Sequence, residues 1–397
     1  MGLTGKTVVL CVTGGIAAYK AADLTSKLRG AGAEVRVLMT ASATEFITPV
    51  TFETLSGFRA IVDTFDRDFA WEVEHISLAK AADVFVIAPA TANVIAKAAH
   101  GIADDMVTTT LLATGAPVVV APAMNTGMYD NPVTQQNLAT LRARGVLLVE
   151  PAAGRLACGD TGRGKLADTA EIMHVIERAL TRQDLAGRRV LVTAGPTQEA
   201  LDPVRFLSNH SSGKMGYAVA ARAALRGAEV TLVSGPTALS APWDVAFVPV
   251  ASARDMYDAV LSRADAQDII VKAAAVGDYR PAEEHSEKIK KAADDMTLPL
   301  TRNPDILAAL GGRKKPGQLL CGFAMETRDL IQNAQDKLRR KNCDMLVANS
   351  LRDAGAGFQH DTNAATLLFA DGSRETAPLM RKEELADLIL DRLLELA

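Results

Sequence analysis

Apolar residues in this chain occur in short runs, and a turn and a helical segment separate each run from the next. The first half contains five runs with the length of buried strands, at residues 7–13, 34–40, 84–89, 117–121 and 146–150. The segment 17–29 between the first two runs has a helical pattern, and Gly30-Ala-Gly32 ends it. Strands that alternate with helices favour a parallel sheet with right-handed crossovers.

The second half repeats this pattern after a polar segment at 181–187. The opening sequence Gly5 to Gly15, a strand that ends in glycine, is echoed by Gly187 to Gly195. Further strand-like runs lie at 229–234, 268–276, 319–323 and 344–349, and helical segments at 218–226 and 383–396. The glycine-rich segments 311–317 and 353–357 are predicted to be mobile loops.

A chain of 397 residues exceeds what one hydrophobic core usually supports. We therefore predict two domains, residues 1–186 and 187–397. Both are expected to be α/β, doubly wound and mainly parallel-sheet (Rossmann-like) domains. The echoed strand-turn-glycine openings predict two domains of nucleotide type and do not by themselves establish a duplication.

Composition and charge narrow the classes of partner. The net charge is −4, so the chain has no general attraction for nucleic acid or acidic membranes. No apolar run reaches the roughly 20 residues needed to span a bilayer, and no signal-peptide pattern opens the sequence. The four cysteines lack the paired spacings of zinc or dithiol motifs. These features predict a cytoplasmic protein with neither nucleic-acid nor membrane partners.

Polar groups follow several of the predicted strands. Asn125 comes just after the run 118–121, where open α/β sheets bind ligands. Gly14-Gly15 ends the first strand and lets backbone N–H groups approach a phosphate. A single asparagine is more often only a turn former, and a double glycine more often only a tight turn. His75 and Cys158, taken alone, are also common as ordinary packed side chains.

Taken together, Gly14-Gly15, His75, the segment 122–129 and Ala157-Cys-Gly-Asp160 resemble the flavin-dependent 4'-phosphopantothenoylcysteine decarboxylases. The lack of a full G-x-G-x-x-G motif suits FMN, a mononucleotide. The resemblance implies a base, His75, a holder of the substrate carboxylate, Asn125, and a proton donor, Cys158. It also implies that FMN lies against Gly14, Gly15, Ile16, Thr40, Ser42, Thr91 and Asn93.

The chemistry explains the need for a flavin. Direct loss of carbon dioxide from an acylated cysteine would leave a carbanion with no electron sink. Oxidation of the thiol to a thioaldehyde first creates that sink, and reduction afterwards restores the thiol. One departure from the family pattern is Tyr129, which stands where an indole is usual.

A basic run and its neighbours carry the candidate chemistry of the second half. Lys288-Ile-Lys-Lys291 puts three cations in four residues, although such a run is more often a solvated face. It follows residues 273–281 and precedes Asn303-Pro-Asp-Ile306, and this order resembles the bacterial CTP-using phosphopantothenate-cysteine ligases. In one departure, Gly277 stands where the family commonly has alanine.

The ligase resemblance assigns roles to individual residues. It implies that Asp278 holds Mg²⁺ and that Asn209 stabilises an acyl cytidylate and its attack by cysteine. It implies that cations approach the triphosphate from Lys288, Lys337 and Lys341. The remaining nucleotide contacts implied by the resemblance are Ala273, Ala274, Pro304, Asp305, Ile306, Leu307 and Phe323.

Together the halves resemble the bifunctional bacterial family of coenzyme A biosynthesis. This implies CTP-dependent joining of 4'-phosphopantothenate to cysteine and then FMN-dependent decarboxylation to 4'-phosphopantetheine. It also implies a homo-oligomer with trimeric decarboxylase contacts and dimeric ligase contacts. Two alternatives are a decarboxylase of peptide C-terminal cysteines and a non-catalytic, partner-binding flavoprotein. Cys158 and the ligase half argue against the non-catalytic flavoprotein. A decarboxylase of peptide cysteines would not need Lys288-Ile-Lys-Lys291, and turnover on 4'-phosphopantothenoylcysteine would separate it from the implied function.

Overall fold

A computed structural model describes residues 3–65, 73–156, 159–290, 296–326, 330–350, 357 and 360–397. Contacts divide the chain into two compact units, Met1–Arg182 and Gln183–Ala397, a few residues before the predicted boundary. No helix in the described part of the chain is long and apolar enough to cross a membrane.

The first unit is built on a five-stranded parallel sheet with the order β2-β1-β3-β4-β5. Its strands are β1 Thr7–Val12, β2 Glu34–Met39, β3 Val84–Ala90, β4 Val118–Pro122 and β5 Leu147–Leu148. Strands β6 Ala152–Arg155 and β7 Thr161–Lys165 form a separate antiparallel ribbon. The helices are α1 Lys20–Gly30, α2 Ala41–Thr44, α3 Pro49–Ser56, α4 Glu74–Ala81, α5 Ala92–His100, α6 Met106–Ala113, α7 Thr126–Tyr129, α8 Pro132–Ala143 and α9 Thr169–Leu180.

Both faces of this sheet are buried, which explains why its strands are apolar without alternation. In β1, Val8, Leu10 and Val12 belong to one core cluster, and Val9 and Cys11 belong to the cluster on the other face. Helices cover both faces, so the ends of the strands are the accessible part of the sheet.

The second unit is built on an eight-stranded sheet with the order β12-β11-β8-β13-β16-β17-β18-β19. Its strands are β8 Arg189–Ala194, β11 Glu229–Ser234, β12 Val245–Pro249, β13 Ile269–Lys272, β16 Leu319–Glu326, β17 Met345–Ser350, β18 Thr362–Phe369 and β19 Arg374–Arg381. Two antiparallel ribbons are β9 Gln198–Ala200 with β10 Phe206–Ser208, and β14 Tyr279–Pro281 with β15 Leu300–Arg302. The helices are α10 Lys214–Leu225, α11 Ala253–Ala264, α12 Ile306–Arg313, α13 Leu330–Arg340 and α14 Lys382–Glu395.

The predicted fold class is confirmed, because both sheets are mainly parallel and each is wound in two directions from an inner strand. In the first unit the chain moves from β1 out to β2 and then crosses to β3 on the other side of β1. In the second unit the same reversal lies between β8 and β13. A crevice that can bind a ligand forms outside the carboxyl ends of the strands at such a reversal.

Some sequence predictions were wrong in detail. Segment 311–317 is not a loop throughout, because Gly311 and Gly312 belong to α12. A Cβ atom at Gly311 would lie 1.9 Å from the carbonyl oxygen of Lys341, so this glycine serves close packing of the helix. The antiparallel strands β18 and β19 and the β6–β7 ribbon were not predicted. Of the predicted loop 353–357, only Gly357 lies within the described residues.

Candidate active sites

A cleft of about 470 Å³ lies at the β1/β3 reversal of the first unit. Its exposed wall is apolar, since Ile16 and Tyr19 are 61% and 60% exposed and Met128 is 50% exposed. Large apolar side chains that stay exposed in a concave site suit a flat aromatic ligand. Of the predicted site residues, the cleft is lined by Gly14, Gly15, Ile16, Thr91 and Asn125.

Hydrogen bonds of Thr13 hold together the two strand ends that form the cleft floor. The buried Thr13 Oγ1 donates to Pro89 O at 2.7 Å and accepts from the Thr91 N–H at 3.0 Å. Thr91 also begins α5, where its Oγ1 accepts from the Val94 N–H at 3.4 Å. The floor therefore ends in the first turn of a helix, where N–H groups favour an anion.

Thr40 and Ser42 lie behind this floor and outside the cleft lining. A Cβ atom at Gly14 would lie 2.3 Å from the Cβ of Ser42, so only glycine permits this close approach. Thr40 Oγ1 is buried and has no hydrogen-bond partner among the described residues. A buried hydroxyl without a partner is costly, and a bound phosphate oxygen would satisfy it. Asn93, in the first turn of α5, also lies outside the cleft lining.

The carboxamide of Asn125 is held in a fixed orientation after β4. Its Oδ1 accepts from the Gly127 N–H at 2.8 Å, and its Nδ2 donates to Asp160 Oδ2 at 2.9 Å. Gly164 O accepts from the Met124 N–H at 2.9 Å, which docks the β6–β7 ribbon against this segment. Asp160 was quoted in the sequence motif, but its part in orienting Asn125 was not predicted.

Cys158 lies outside the described residues, but several of its neighbours along the chain are described. Leu156 N–H donates to Asp160 O at 2.8 Å, and Gly159 N–H donates to Leu156 O at 3.0 Å. Since Asp160 also bonds to Asn125, it connects the described residues Leu156 and Gly159 to the candidate carboxylate holder.

His75 and Tyr129 have other surroundings. His75 is half-buried in the first turn of α4 and is not among the described residues that line the cleft. Tyr129 is buried, and its hydroxyl donates to Glu150 Oε2 at 3.0 Å. Burial and the Glu150 carboxylate raise the pKa of Tyr129. Its polar group therefore bonds to Glu150 behind the Asn125 segment.

The second unit has a two-lobed cleft at the β8/β13 reversal. The Asn209 lobe, of about 310 Å³, is lined in part by Asn209, Ala273, Ala274 and Phe323. The Pro304 lobe, of about 610 Å³, contains the predicted nucleotide contacts Pro304, Asp305, Ile306, Leu307 and Lys341. The residues that line both lobes are Lys272, Val276, Asp278 and Lys337.

Hydrogen bonds position the loop that separates the lobes. Thr193 Oγ1, on β8, accepts from the Ala274 N–H at 3.1 Å. Asn209 Nδ2 donates to Ala275 O at 2.9 Å, so a candidate catalytic amide is fixed against the same loop. At Gly277 a Cβ atom would lie no closer than 3.4 Å to Tyr279 O. Alanine would therefore fit there, and the departure from the family pattern has little effect on the loop.

The charges of the cleft are concentrated where the lobes meet. Lys337 Nζ donates to Phe323 O at 3.0 Å, and Lys272 Nζ donates to Ala274 O at 3.0 Å. Burial and the neighbouring Lys337 cation lower the pKa of Lys272 to about 8. Lys272 was not predicted from the sequence, although a lysine just before three alanines at a strand end is a recognisable signal.

Acidic groups complete the site. Burial of Asp305 favours its neutral form, but hydrogen bonds from Lys341 and the Ala308 N–H leave its pKa lowered. Asp278 is exposed at the junction of the lobes. Among the described residues there is no group of three metal-ligating side chains. A single exposed carboxylate nevertheless suits Mg²⁺, which commonly binds one or two carboxylates together with substrate phosphates.

Lys288 is exposed and lies outside the described lining of both lobes. Its neighbour Ile289 is anchored to Asp202: the Ile289 N–H donates to Asp202 Oδ2 at 3.2 Å. Arg205 holds the same carboxylate through Nε at 3.0 Å. Lys291 lies outside the described residues.

The two sheets, each with a cleft at its topological reversal, define a doubly wound α/β protein with a ligand site in each of two domains. A flavoprotein family model matches residues 2–181, and a model of the DNA/pantothenate metabolism flavoprotein C-terminal domain matches residues 185–396.

Similar proteins cover the whole chain. The coenzyme A biosynthesis bifunctional protein CoaBC of Bacillus subtilis (strain 168) is 49% identical over 399 residues, covering 100% of this chain and 98% of that protein. The protein of the same name from Vibrio parahaemolyticus is 46% identical over 396 residues, covering 99% of each. A crystal structure of the C-terminal domain of such a protein is 46% identical, with a TM-score of 0.46, and covers 53% of this chain and 96% of that one. The chain therefore belongs to the family of coenzyme A biosynthesis bifunctional proteins, and the resemblance inferred from its motifs is confirmed.

We expect Gly164→Ala to destabilise the first unit. The added Cβ atom would lie 2.3 Å from Met124 O, and Gly164 has a φ of +134°, which favours glycine. The cost should be about 1–3 kcal/mol, measurable by thermal unfolding of the full chain. Gly115→Ala is the matched control, because no atom lies within 4 Å of its added methyl group. Equal unfolding temperatures for the two variants would contradict the proposed packing of the ribbon.

Proposed function

We propose that residues 1–186 form an FMN-dependent 4'-phosphopantothenoylcysteine decarboxylase and residues 187–397 a CTP-dependent phosphopantothenate-cysteine ligase. The ligase product would be the decarboxylase substrate, and 4'-phosphopantetheine the final product. The observation that carries the proposal is the presence, in one chain, of two separate clefts. The first is lined by Asn125 and part of the expected FMN contacts, and the second by all the expected ligase residues except Lys288. Full-length similarity to coenzyme A biosynthesis bifunctional proteins supports it.

The first cleft fits FMN. Ile16, Tyr19 and Met128 offer exposed apolar surface for a ring system. Gly14 and Gly15, with the first turn of α5 after Thr91, offer close backbone approach, and the unpartnered Thr40 hydroxyl with Ser42 behind it suits a phosphate. Bound FMN would supply a reversible two-electron oxidation of the substrate thiol. The thioaldehyde formed in this way would be the electron sink for loss of carbon dioxide. Asn93 would contact FMN from the first turn of α5.

The protein side chains would orient the substrate and move protons. Asn125 would hold the substrate carboxylate, and its bond to Asp160 keeps the carboxamide from rotating. Cys158 would donate a proton in the final reduction. His75 would act as a base in the oxidative half-reaction.

In the second cleft the ligase must activate a carboxylate, which is a poor electrophile. A carboxylate oxygen of 4'-phosphopantothenate would attack the α-phosphorus of CTP, and pyrophosphate would leave. The cysteine amine would then attack the acyl carbon, and CMP would leave. Asp278 would hold Mg²⁺, and Asn209 would stabilise the acyl cytidylate. Lys288, Lys337 and Lys341 would offset the charge of the triphosphate.

The nucleotide would lie against the loop between the lobes and the start of α12. The residues proposed to contact CTP are Ala273, Ala274, Asp278, Lys288, Pro304, Asp305, Ile306, Leu307, Phe323, Lys337 and Lys341. We further propose a cytoplasmic homo-oligomer with trimeric decarboxylase and dimeric ligase contacts. Exposed apolar residues on the two ribbons of the second unit, including Phe206, Tyr279 and Leu300, support the dimeric contacts.

The purified full chain provides the direct test. It should show the visible absorbance of a flavin and should convert 4'-phosphopantothenate, cysteine and CTP into 4'-phosphopantetheine with release of carbon dioxide. Omission of CTP should abolish this conversion, while added 4'-phosphopantothenoylcysteine should restore it. A chain that binds no flavin would contradict the decarboxylase assignment alone. A chain that forms no amide with CTP present would contradict the ligase assignment alone.

Asn125→Ala should separate the two activities. We expect decarboxylation to fall by about 100-fold or more, because an oriented polar contact to the reacting group is lost. Amide formation should stay within about twofold, since the two units have separate cores. Asn131→Ala is the matched control, because Asn131 also begins a helix and accepts an N–H bond at its Oδ1. A comparable loss of ligation in a folded Asn125→Ala protein would contradict the assignment of Asn125 to the decarboxylase site.

Lys288→Gln should impair acyl cytidylate formation and spare decarboxylation. Loss of a cation from the triphosphate should slow pyrophosphate release by at least about 30-fold, or roughly 2 kcal/mol. Lys290→Gln, an exposed lysine two residues away, should change the rate by less than about threefold, as expected for a solvated charge. If the two variants release pyrophosphate at the same rate, Lys288 belongs to a solvated surface.

A further inference from the structure

Lys272 occupies the reversal point of the second sheet. It is the last residue of β13, where it is paired in register with Thr193 of β8 on one side and with Gly322 of β16 on the other. The strands β8 and β13 lie on either side of the topological reversal, so a side chain at this strand end reaches the crevice where α/β sheets bind ligands. Small residues, Ala273 and Ala274, follow it and leave the crevice open.

No carboxylate in the described part of the chain forms a salt bridge with Lys272, although Asp305 and Asp278 lie near enough to favour its charged form. The Lys272 Nζ donates to the neutral carbonyl of Ala274 at 3.0 Å. Two other lysines of this unit are paired directly with carboxylates: Lys341 contacts Asp305, and Lys314 Nζ lies 2.8 Å from Asp344. A half-buried cation is costly unless an anion compensates it. An anionic ligand at the junction would supply that compensation.

The two lobes meet at this cation. Lys272 lines both the Asn209 lobe and the Pro304 lobe, together with Asp278, Lys337 and Val276. If the two substrates of acyl transfer occupy different lobes, their reacting atoms can meet only at the shared wall. During attack of the carboxylate on the α-phosphorus, negative charge accumulates on phosphate oxygens and on the departing pyrophosphate.

We propose that Lys272 is a catalytic residue of the ligase, contacting the reacting phosphate group where the lobes meet and stabilising its charge as the acyl cytidylate forms. This inference rests on the proposed ligase function. It assigns to Lys272 a role separate from that of Lys288, which lies outside both lobes. A purely structural role for Lys272, bracing the loop through Ala274 O, makes different predictions.

The test uses the full chain with CTP, Mg²⁺, 4'-phosphopantothenate and cysteine, with steady-state pyrophosphate release measured. Lys272→Met keeps a long apolar stem and removes the charge. We expect kcat to fall by about 100-fold while KM for CTP changes by less than about threefold. Lys272→Arg restores a cation, and its kcat should be at least about tenfold higher than that of Lys272→Met.

Two controls accompany these variants. Lys315→Met removes an exposed lysine whose Nζ also donates to a backbone carbonyl, Asp265 O at 2.9 Å, and it should leave pyrophosphate release unchanged. Decarboxylation by the first unit, measured in each preparation, gives the concentration of active chain. Thermal unfolding reports damage to the loop. If Lys272→Met does not fold, Lys272→Gln takes its place, and Lys272→Arg still tests the charge.

The outcomes separate the inference from the function on which it rests. A wild-type chain that releases pyrophosphate, with Lys272→Met within about threefold of it, overturns the catalytic role. A variant with unchanged kcat, a raised KM and a lowered unfolding temperature identifies a brace for the loop and also overturns it. A wild-type chain with no CTP-dependent pyrophosphate release refutes the ligase proposal itself.

Discussion

The structure depends on sheets that are buried on both faces. Once helices cover both sides of β1 and β8, the edges of the sheet and the strand ends are the positions from which a side chain can reach a ligand. The reversal of strand order separates the helices that follow β1 and β3, or β8 and β13, and so opens a crevice at one point in each sheet. Both candidate sites lie at those crevices, and the chemistry of each is set by the few residues that follow the strands.

The two clefts differ in the physical character of their walls. The wall of the first cleft exposes the apolar side chains of Ile16 and Tyr19 to solvent. A ligand that covered them would remove this apolar surface from water. The second concentrates charge where its lobes meet, with Lys272 and Lys337 against Asp278. An apolar wall favours a ring system, whereas two neighbouring cations favour phosphate. The contrast fits the flavin proposed for one domain and the triphosphate proposed for the other, without any difference in fold class.

The sequence predicted what depends on local pattern. Apolar runs such as 118–121 located the buried strands, because residues packed on both faces of a sheet need no alternation. Contacts between distant segments could not be read in the same way. Asp160 bonds to Asn125 from 35 positions away, and Gly311 serves a contact with Lys341, although glycine-rich sequence indicated a loop. The lobes that meet at Lys272 depend on the order of strands in the sheet, which is a property of the whole domain.

Asp202 links two parts of the proposed ligase site that are far apart in sequence. Its carboxylate accepts from the N–H groups of Val204 and Arg205 at 2.9 Å and from that of Ile289 at 3.2 Å. The Arg205 guanidinium holds the pKa of this buried carboxyl well below its usual range, so the group remains an acceptor at physiological pH. Arg205 also donates to Ile289 O at 3.1 Å. The segment that carries Lys288 is thereby tied to the chain leading through β10 to Asn209. Displacement of either segment strains the hydrogen bonds of the other, so the Lys288 segment and the strand that leads to Asn209 share one anchor in the fold.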